Sequence, residues 1–170
     1  MTNNALAFIA LSNEYCAAIE NCFDSDPREF VQNMLKVLPR IYIAATDLPT
    51  EDFADLYIDQ ALDEPSYDNI RNKLSAVFGD EDTYLEVFEE DMKYSDTPIA
   101  SSISENLSDI FQVLYNFLET VRNAPEDVIE GALATVKEDF CNYWAQILCN
   151  VLRPLNNIFY NRPDFNTDSL

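Results

Sequence analysis

The chain has no histidine and only two glycines, Gly79 and Gly131, among its 170 residues. Without histidine there is no Ser-His-Asp triad, no Cys-His nucleophile, no His-containing zinc site and no Glu-x-x-His di-iron bundle. So little glycine argues against a turn-rich β-sandwich and against a glycine-cradled phosphate loop. Cysteine is sparse too: Cys16, Cys22, Cys141 and Cys149 form no CxxC pair. Each lies in a helix-patterned apolar stretch, where a free thiol behaves as a small hydrophobe, so all four are expected to be buried. Cys141 and Cys149 stand about 12 Å apart along a helix axis, too far for a mutual disulfide. Bases are scarce as well. Ten Lys and Arg face 31 Asp and Glu, a formal net charge of −21. Such a balance repels nucleic acid and anionic lipid and attracts cations or basic proteins. No apolar run approaches the ~20 residues of a membrane span. Residues 3–11 lack the basic segment of a secretory signal. A cytoplasmic protein with no membrane partner is expected.

What is present is a core. Apolar residues make up 48% of the chain, with 11 Phe, 9 Tyr and one Trp, which excludes intrinsic disorder despite the charge. A chain of this length buries roughly 70% of its unfolded surface as one domain. Ala5, Phe8, Ile9, Cys16, Ile19 and Phe23 recur at helical spacing, predicting a first helix. Asp26-Pro27-Arg28-Glu29 has the form of a capping box and opens a second, which contains Pro39 and ends at Asp47-Leu48-Pro49. Residues 50–62 are expected to be weakly ordered, since Asp55, Asp59 and Asp63 repel one another along one helix face. A third helix begins near Asp63 and closes at Gly79 as a left-handed cap. Tyr84 to Met92 suggests a short helix, Thr97-Pro98 the start of a long one, and Asn123-Ala124-Pro125 a break. The last long helix carries Leu133, Lys137, Phe140, Trp144, Ile147 and Val151 inward, with Arg153-Pro154 kinking or ending it. Steps of four and three joined by short Pro-containing connections predict an all-α, single-domain antiparallel bundle of about five to seven helices. It should occupy residues 1–160, with 161–170 as a frayed tail.

The charge is regional. Eighteen acidic residues and three bases (Arg71, Lys73, Lys93) lie between Asp47 and Asp109, so this stretch holds −15 of the −21. Two charges depart from the apolar pattern around them. Asp91 falls on the inward arc between Val87 and Phe88, whereas Glu86, Glu89 and Glu90 point away. Lys137 sits in the apolar stripe between Leu133 and Phe140. A buried charge costs several kcal/mol unless paired, so Asp91 and Lys137 suggest each other as an ion pair. Helix-end capping by Asp91 and a Lys137 side chain snorkelling to solvent is the competing arrangement. Glu89, Glu90, Asp96, Glu105 and Asp109 supply the oxygen ligands that magnesium prefers. Glu105 and Asp109, however, share a helix face with Gln112, Asn116 and Glu119, the pattern of an ordinary solvated face. An EF-hand over residues 80–91 fails because Leu85 stands where the loop's glycine is needed.

Several runs are distinctive together: Leu11-Ser12-Asn13-Glu14-Tyr15-Cys16, Leu38-Pro39-Arg40-Ile41-Tyr42, and Tyr84-Leu85-Glu86-Val87-Phe88 followed by Asp91-Met92-Lys93-Tyr94-Ser95-Asp96-Thr97-Pro98. With Ser104-Glu105-Asn106-Leu107-Ser108-Asp109-Ile110 and Tyr143-Trp144, they resemble the bacterial family labelled domain of unknown function 5063. The resemblance implies a compact helical domain and no particular activity. Glu89-Glu90 and Glu105-Asn106-Leu107-Ser108-Asp109 are also similar to fragments of the two acidic motifs of all-α nucleoside triphosphate pyrophosphatases, although Asn106 stands where the second motif has an acid. The leading expectation is a non-enzymatic interaction module whose acidic 47–109 region meets a basic protein, with no cofactor. The alternative is a magnesium-dependent phosphohydrolase in which Glu89, Glu90, Asp96, Glu105 and Asp109 hold the metal and activate water. Mimicry of nucleic acid would require carboxylates spaced like phosphates over a long surface.

Overall fold

A computed structural model describes residues 1–50, 58–86, 93 and 97–165. Six α-helices dominate the described residues: α1 Asn3–Glu20, α2 Pro27–Thr46, α3 Glu64–Phe78, α4 Ile103–Val121, α5 Glu126–Asp139 and α6 Ala145–Asn161. A two-stranded antiparallel ribbon, β1 Thr83–Leu85 and β2 Ala100–Ser102, lies between α3 and α4, with Tyr84 opposite Ser101. The helices form the antiparallel bundle that the periodicity predicts. None of those described is long and apolar enough to cross a membrane.

Short polar side chains set the starts of the helices. The backbone N–H of Ala5 donates to Thr2 Oγ1, that of Glu29 to Asp26 Oδ1 and that of Ser66 to Asp63 Oδ1. Each bond satisfies one of the donors that a first turn leaves open. Gly79 ends α3 at φ +52° and ψ −128°. The positive φ is the expected one, but ψ is extended rather than left-handed helical, a combination that glycine adopts without strain.

Helix α4 is the hub, packing against α1, α3, α5 and α6. Its buried stripe includes Ile103, Leu107, Ile110, Phe111, Leu114 and Phe117. Phe8 of α1 meets Phe117 edge-on at 5.3 Å and lies 6.3 Å from Trp144, both centroid distances. The fully buried Tyr15 donates its hydroxyl to the Leu107 carbonyl at 2.6 Å, tying α1 to α4 through the core. One apolar cluster runs from Ala5 to Ile158.

The structure corrects several expectations. Residues 83–85 form a strand rather than the start of a short helix, and residues 87–92 lie outside the described residues. Helix α4 begins at Ile103, not at Thr97-Pro98, because Ala100–Ser102 is extended and Ser102 carries the cap, accepting from Glu105 N at 3.2 Å. Its signal was in the chain as Ser102-Ile103-Ser104-Glu105, a capping-box spacing. Ile58 and Leu62, in the stretch expected to be weakly ordered, pack on the core, and Leu62 N donates to Asn116 Oδ1 at 2.8 Å. The last helix runs on past Pro154, but a single π-helical turn, Phe140–Trp144, interrupts it. Of the expected stripe, Leu133, Lys137, Phe140, Trp144 and Val151 are buried, while Leu148 is fully buried and Ile147 only partly so, packed against the core. Cys16 and Cys22 are buried as expected, whereas Cys141 and Cys149 are exposed, because they flank the buried stripe of Phe140, Trp144 and Leu148. Asn161 completes α6, and Phe165 stacks on Phe78 at 6.3 Å, so packing extends beyond the expected start of the tail.

Lys137 is buried, as its place in the stripe requires. Its ammonium donates to the carbonyls of Ala45 at 3.0 Å and Thr46 at 2.5 Å, the last residues of α2. Asp91, the partner expected from sequence, lies outside the described residues. The cation thus satisfies carbonyls that a helix end leaves open and sits at the negative pole of the helix dipole. Replacing Lys137 with Met keeps the apolar stem and removes the donors, so unfolding free energy should fall by about 1.5–3 kcal/mol. The melting temperature should drop by roughly 3–12 °C, with faster amide exchange confined to the last turn of α2; an unchanged melt would rule out this role.

Candidate functional site

Of the residues singled out from sequence, Glu89, Glu90, Asp91 and Asp96 lie outside the described residues. Glu105 and Asp109 are one turn apart on α4, where Glu105 is exposed and Asp109 half-buried. Asp109 Oδ1 accepts a 2.6 Å hydrogen bond from the Tyr67 hydroxyl of α3. Burial pushes the Asp109 carboxyl up, the Tyr67 bond pulls it down, and Glu105 raises it further; the net effect is a rise from its ordinary value. Burial, the bond to Asp109 and the Asp109 charge together raise the Tyr67 phenol far above its ordinary value. Tyr143, half-exposed on the π turn, is shifted up by burial and then by the charges of Asp109 and Glu105. One negative field therefore reaches from α3 across α4 to the π turn.

Beside these groups lies a cleft of ≈ 440 Å³ lined by Ile58, Gln60, Gln112, Val113, Asn116, Thr135, Asp139 and Tyr143. The π turn bears Tyr143 and follows directly on Asp139, so a local widening of the helix forms one wall. Burial raises the Asp139 carboxyl, with Glu138 adding to the effect. None of the described side chains lining the cleft is a base. Arg71, whose charge reaches Tyr67, is engaged with Asp68 at 3.3 Å. Chemically, the face offers carboxylates, amide groups and a phenol ring to a ligand rich in N–H donors.

The solvated face expected for α4 is solvated only in part. Asn116 is buried, its Oδ1 taken by Leu62 N, because residues 58–62 and α3 cover that flank. Glu119 is held by Arg122 at 2.8 Å. Tyr67, Asp139 and Tyr143 were not singled out as site residues. The signal for Tyr67 was a phenol in an apolar stripe, which needs a polar partner when buried; Tyr143 and Asp139 had none, because the π turn leaves no mark in the periodicity.

A second polar cluster closes the N-terminus of α4. Asp82 accepts from Ser104 N at 2.7 Å, Ser104 Oγ at 2.7 Å and Ser102 Oγ at 3.0 Å. Tyr84 donates to the buried Glu86 at 3.0 Å and accepts from Asn106 Nδ2. Glu86 was expected to point outward and is instead buried. Asp82 thus takes up an N–H donor at a helix start, a structural arrangement, while the Glu86 carboxylate is held by the Tyr84 hydroxyl. Among the described residues no three His, Cys, Asp or Glu side chains converge to hold a metal ion.

The raised carboxyls make a pH prediction. When a folded pKa exceeds the unfolded value, the folded state holds the proton more tightly. The penalty for ionising Asp109 and Asp139 is therefore absent below the unfolded value of about 3.9 and complete above the folded one. Replacing Asp109 with Asn keeps the acceptor for Tyr67 and removes its share of the penalty. At pH 7.5 the variant should melt about 2 °C above the parent, the small size reflecting partial exposure, and the two should converge near pH 4. A loss of stability at pH 7.5 that disappears near pH 4 would show instead that the ionised carboxylate stabilises the fold.

The model of the family described as domain of unknown function (DUF5063) matches residues 1–161. No match was found among curated proteins. Among solved structures, the chain is similar to the crystal structure of protein BF1032 from Bacteroides fragilis, a structural-genomics target. The two share 29% sequence identity over 94% of each chain, with a TM-score of 0.82. The resemblance first seen in scattered runs thus extends along nearly the whole sequence, and the chain belongs to the DUF5063 family.

Proposed function

We propose that the domain is a non-enzymatic interaction module that receives a basic segment of a partner protein on the face formed by α3, α4 and the π turn. The observation that carries this reading is the half-buried Asp109 carboxylate, fixed by Tyr67 in the field of Glu105. A lysine or arginine side chain reaching this face would relieve that repulsion, and the half-exposed ring of Tyr143 offers it a cation–π contact. The surplus charge of −21 would speed the encounter with a basic surface. The chemistry is that of adhesion: it requires no nucleophile and no proton transfer.

Because any acidic protein attracts polycations, the test holds the charge change constant. The triple variant E105Q/D109N/D139N and the control D24N/D127N/E130Q each remove three acidic charges. With a fluorescein-labelled peptide of alternating Arg and Gly, the site variant should bind about tenfold more weakly than the parent, a loss of ~1.4 kcal/mol. The control should bind within about twofold. Binding by the parent should also weaken steeply as salt rises. Equal losses in the two triple variants would mean that only net charge matters and would sink the proposal.

A further inference from the structure

Among the described residues strand β1 has one neighbour, β2, and its pairing decides where its backbone groups point. Glu86 N donates to Ile99 O at 2.8 Å, and Tyr84 stands opposite Ser101. In an antiparallel pair, hydrogen-bonded positions alternate, so the groups of Tyr84 and Glu86 face β2 while those of Thr83 and Leu85 face away. The Leu85 carbonyl confirms the direction, because it accepts from Arg153 Nη2 of α6 at 2.6 Å. On that outer side lies a groove of ≈ 590 Å³ between β1 and α6, to which β2 contributes no lining residue. Pro154 and Ile158 are its buried floor, and Asn157 and Asn161 are exposed along the helix. Two of the chain's ten bases, Arg153 and Arg162, also line it, against one acid, Glu81.

We propose that this groove binds an extended, acidic peptide segment that adds to β1 as a third strand. Backbone pairing at Thr83 and the Leu85 N–H would supply the affinity common to strand addition. Arg153 is held on the Leu85 carbonyl, and Arg162 makes an exposed 3.4 Å pair with Glu81, a weak contact that leaves its charge open to a second carboxylate. With two bases against one acid the lining is net positive in an otherwise acidic protein, and this selects an acidic segment over a basic one. Asn157 and Asn161 offer amide groups to its backbone or polar side chains. The surface is separate from the acidic face of α4, so either can fail without the other.

The experiment uses three fluorescein-labelled octapeptides: alternating Thr and Val with Asp at each end, the same core with Lys at each end, and the Asp-ended form with proline at alternate core positions. The Asp-ended peptide should bind at least tenfold more tightly than the other two and should shift the amide resonances of Thr83, Leu85, Asn157 and Asn161. Leu85→Pro removes only the outward N–H, on an edge strand where proline is tolerated, and should weaken binding at least tenfold without lowering the melting temperature. Arg162→Glu, an exposed change, tests the charge term independently and should weaken binding similarly. The idea is overturned if the proline-containing peptide binds as well as the parent peptide, if neither variant weakens binding, or if the shifted amides lie outside the groove.

Discussion

The bundle depends on how it closes the C-terminal ends of its helices. Each α-helix ends with carbonyls that have no intrahelical donor and with a partial negative charge, which is costly in a chain already at −21. Helices α1, α2 and α6 carry no base in their own last turn. The cations come from neighbours. Lys73 of α3 donates to Glu20 O at the end of α1 at 2.7 Å. Lys137 of α5 closes α2. Arg28 of α2 donates to Phe159 O near the end of α6 at 2.6 Å while lying over the Phe159 ring at 4.5 Å. Each contact satisfies backbone and fixes one helix against another.

This use of scarce bases shapes the surface. With Arg153 on the Leu85 carbonyl, four of the ten bases donate to backbone oxygens. Several others make exposed pairs such as Arg40 with Glu14 and Arg162 with Glu81, which contribute little to stability. The excess acid is therefore left facing solvent. Where it is crowded and half-buried, around Asp109 and Asp139, the fold itself bears a cost that a cationic partner would relieve. Architecture and electrostatics have the same origin, since the cations that hold the helices together are the ones missing from the acidic face.

Much of the fold was legible because its rules are local. Asp26-Pro27, Asp63 and Gly79 mark helix ends by side-chain and backbone chemistry that operates within four residues, and all three lie where the sequence put them. Lys137 was visible as a charge in an apolar stripe. The backbone acceptors it meets were not, because carbonyls at the end of a distant helix have no signature in the side-chain sequence. The ribbon was missed because three-residue strands are too short for alternation to register, and the Tyr84 pattern suited either state. Asn116 looked solvent-facing because the wheel of α4 cannot show that residues 58–62 cover that flank. Leu148 took the more buried place over Ile147 because the stripe steps by four, four and three from Phe140 to Val151, where a strict alternation of four and three was assumed. Of the candidate site, Glu105 and Asp109 were found by charge, whereas the phenols that frame them required the packing of three separate elements.

The interhelical caps also bear on how the chain folds. Their donors and acceptors are 53, 91 to 92 and 131 residues apart in sequence. Helical proteins owe their rapid folding to local contacts, but these bonds require closure of long loops before they can form. The N-terminal turns of α1, α2 and α3 carry caps from their own sequence and can form early, while the C-terminal turns of α1, α2 and α6 gain their cations only on docking. Helix completion and bundle assembly are thereby joined in a single late step, which couples the ends of the chain cooperatively to the middle of the bundle.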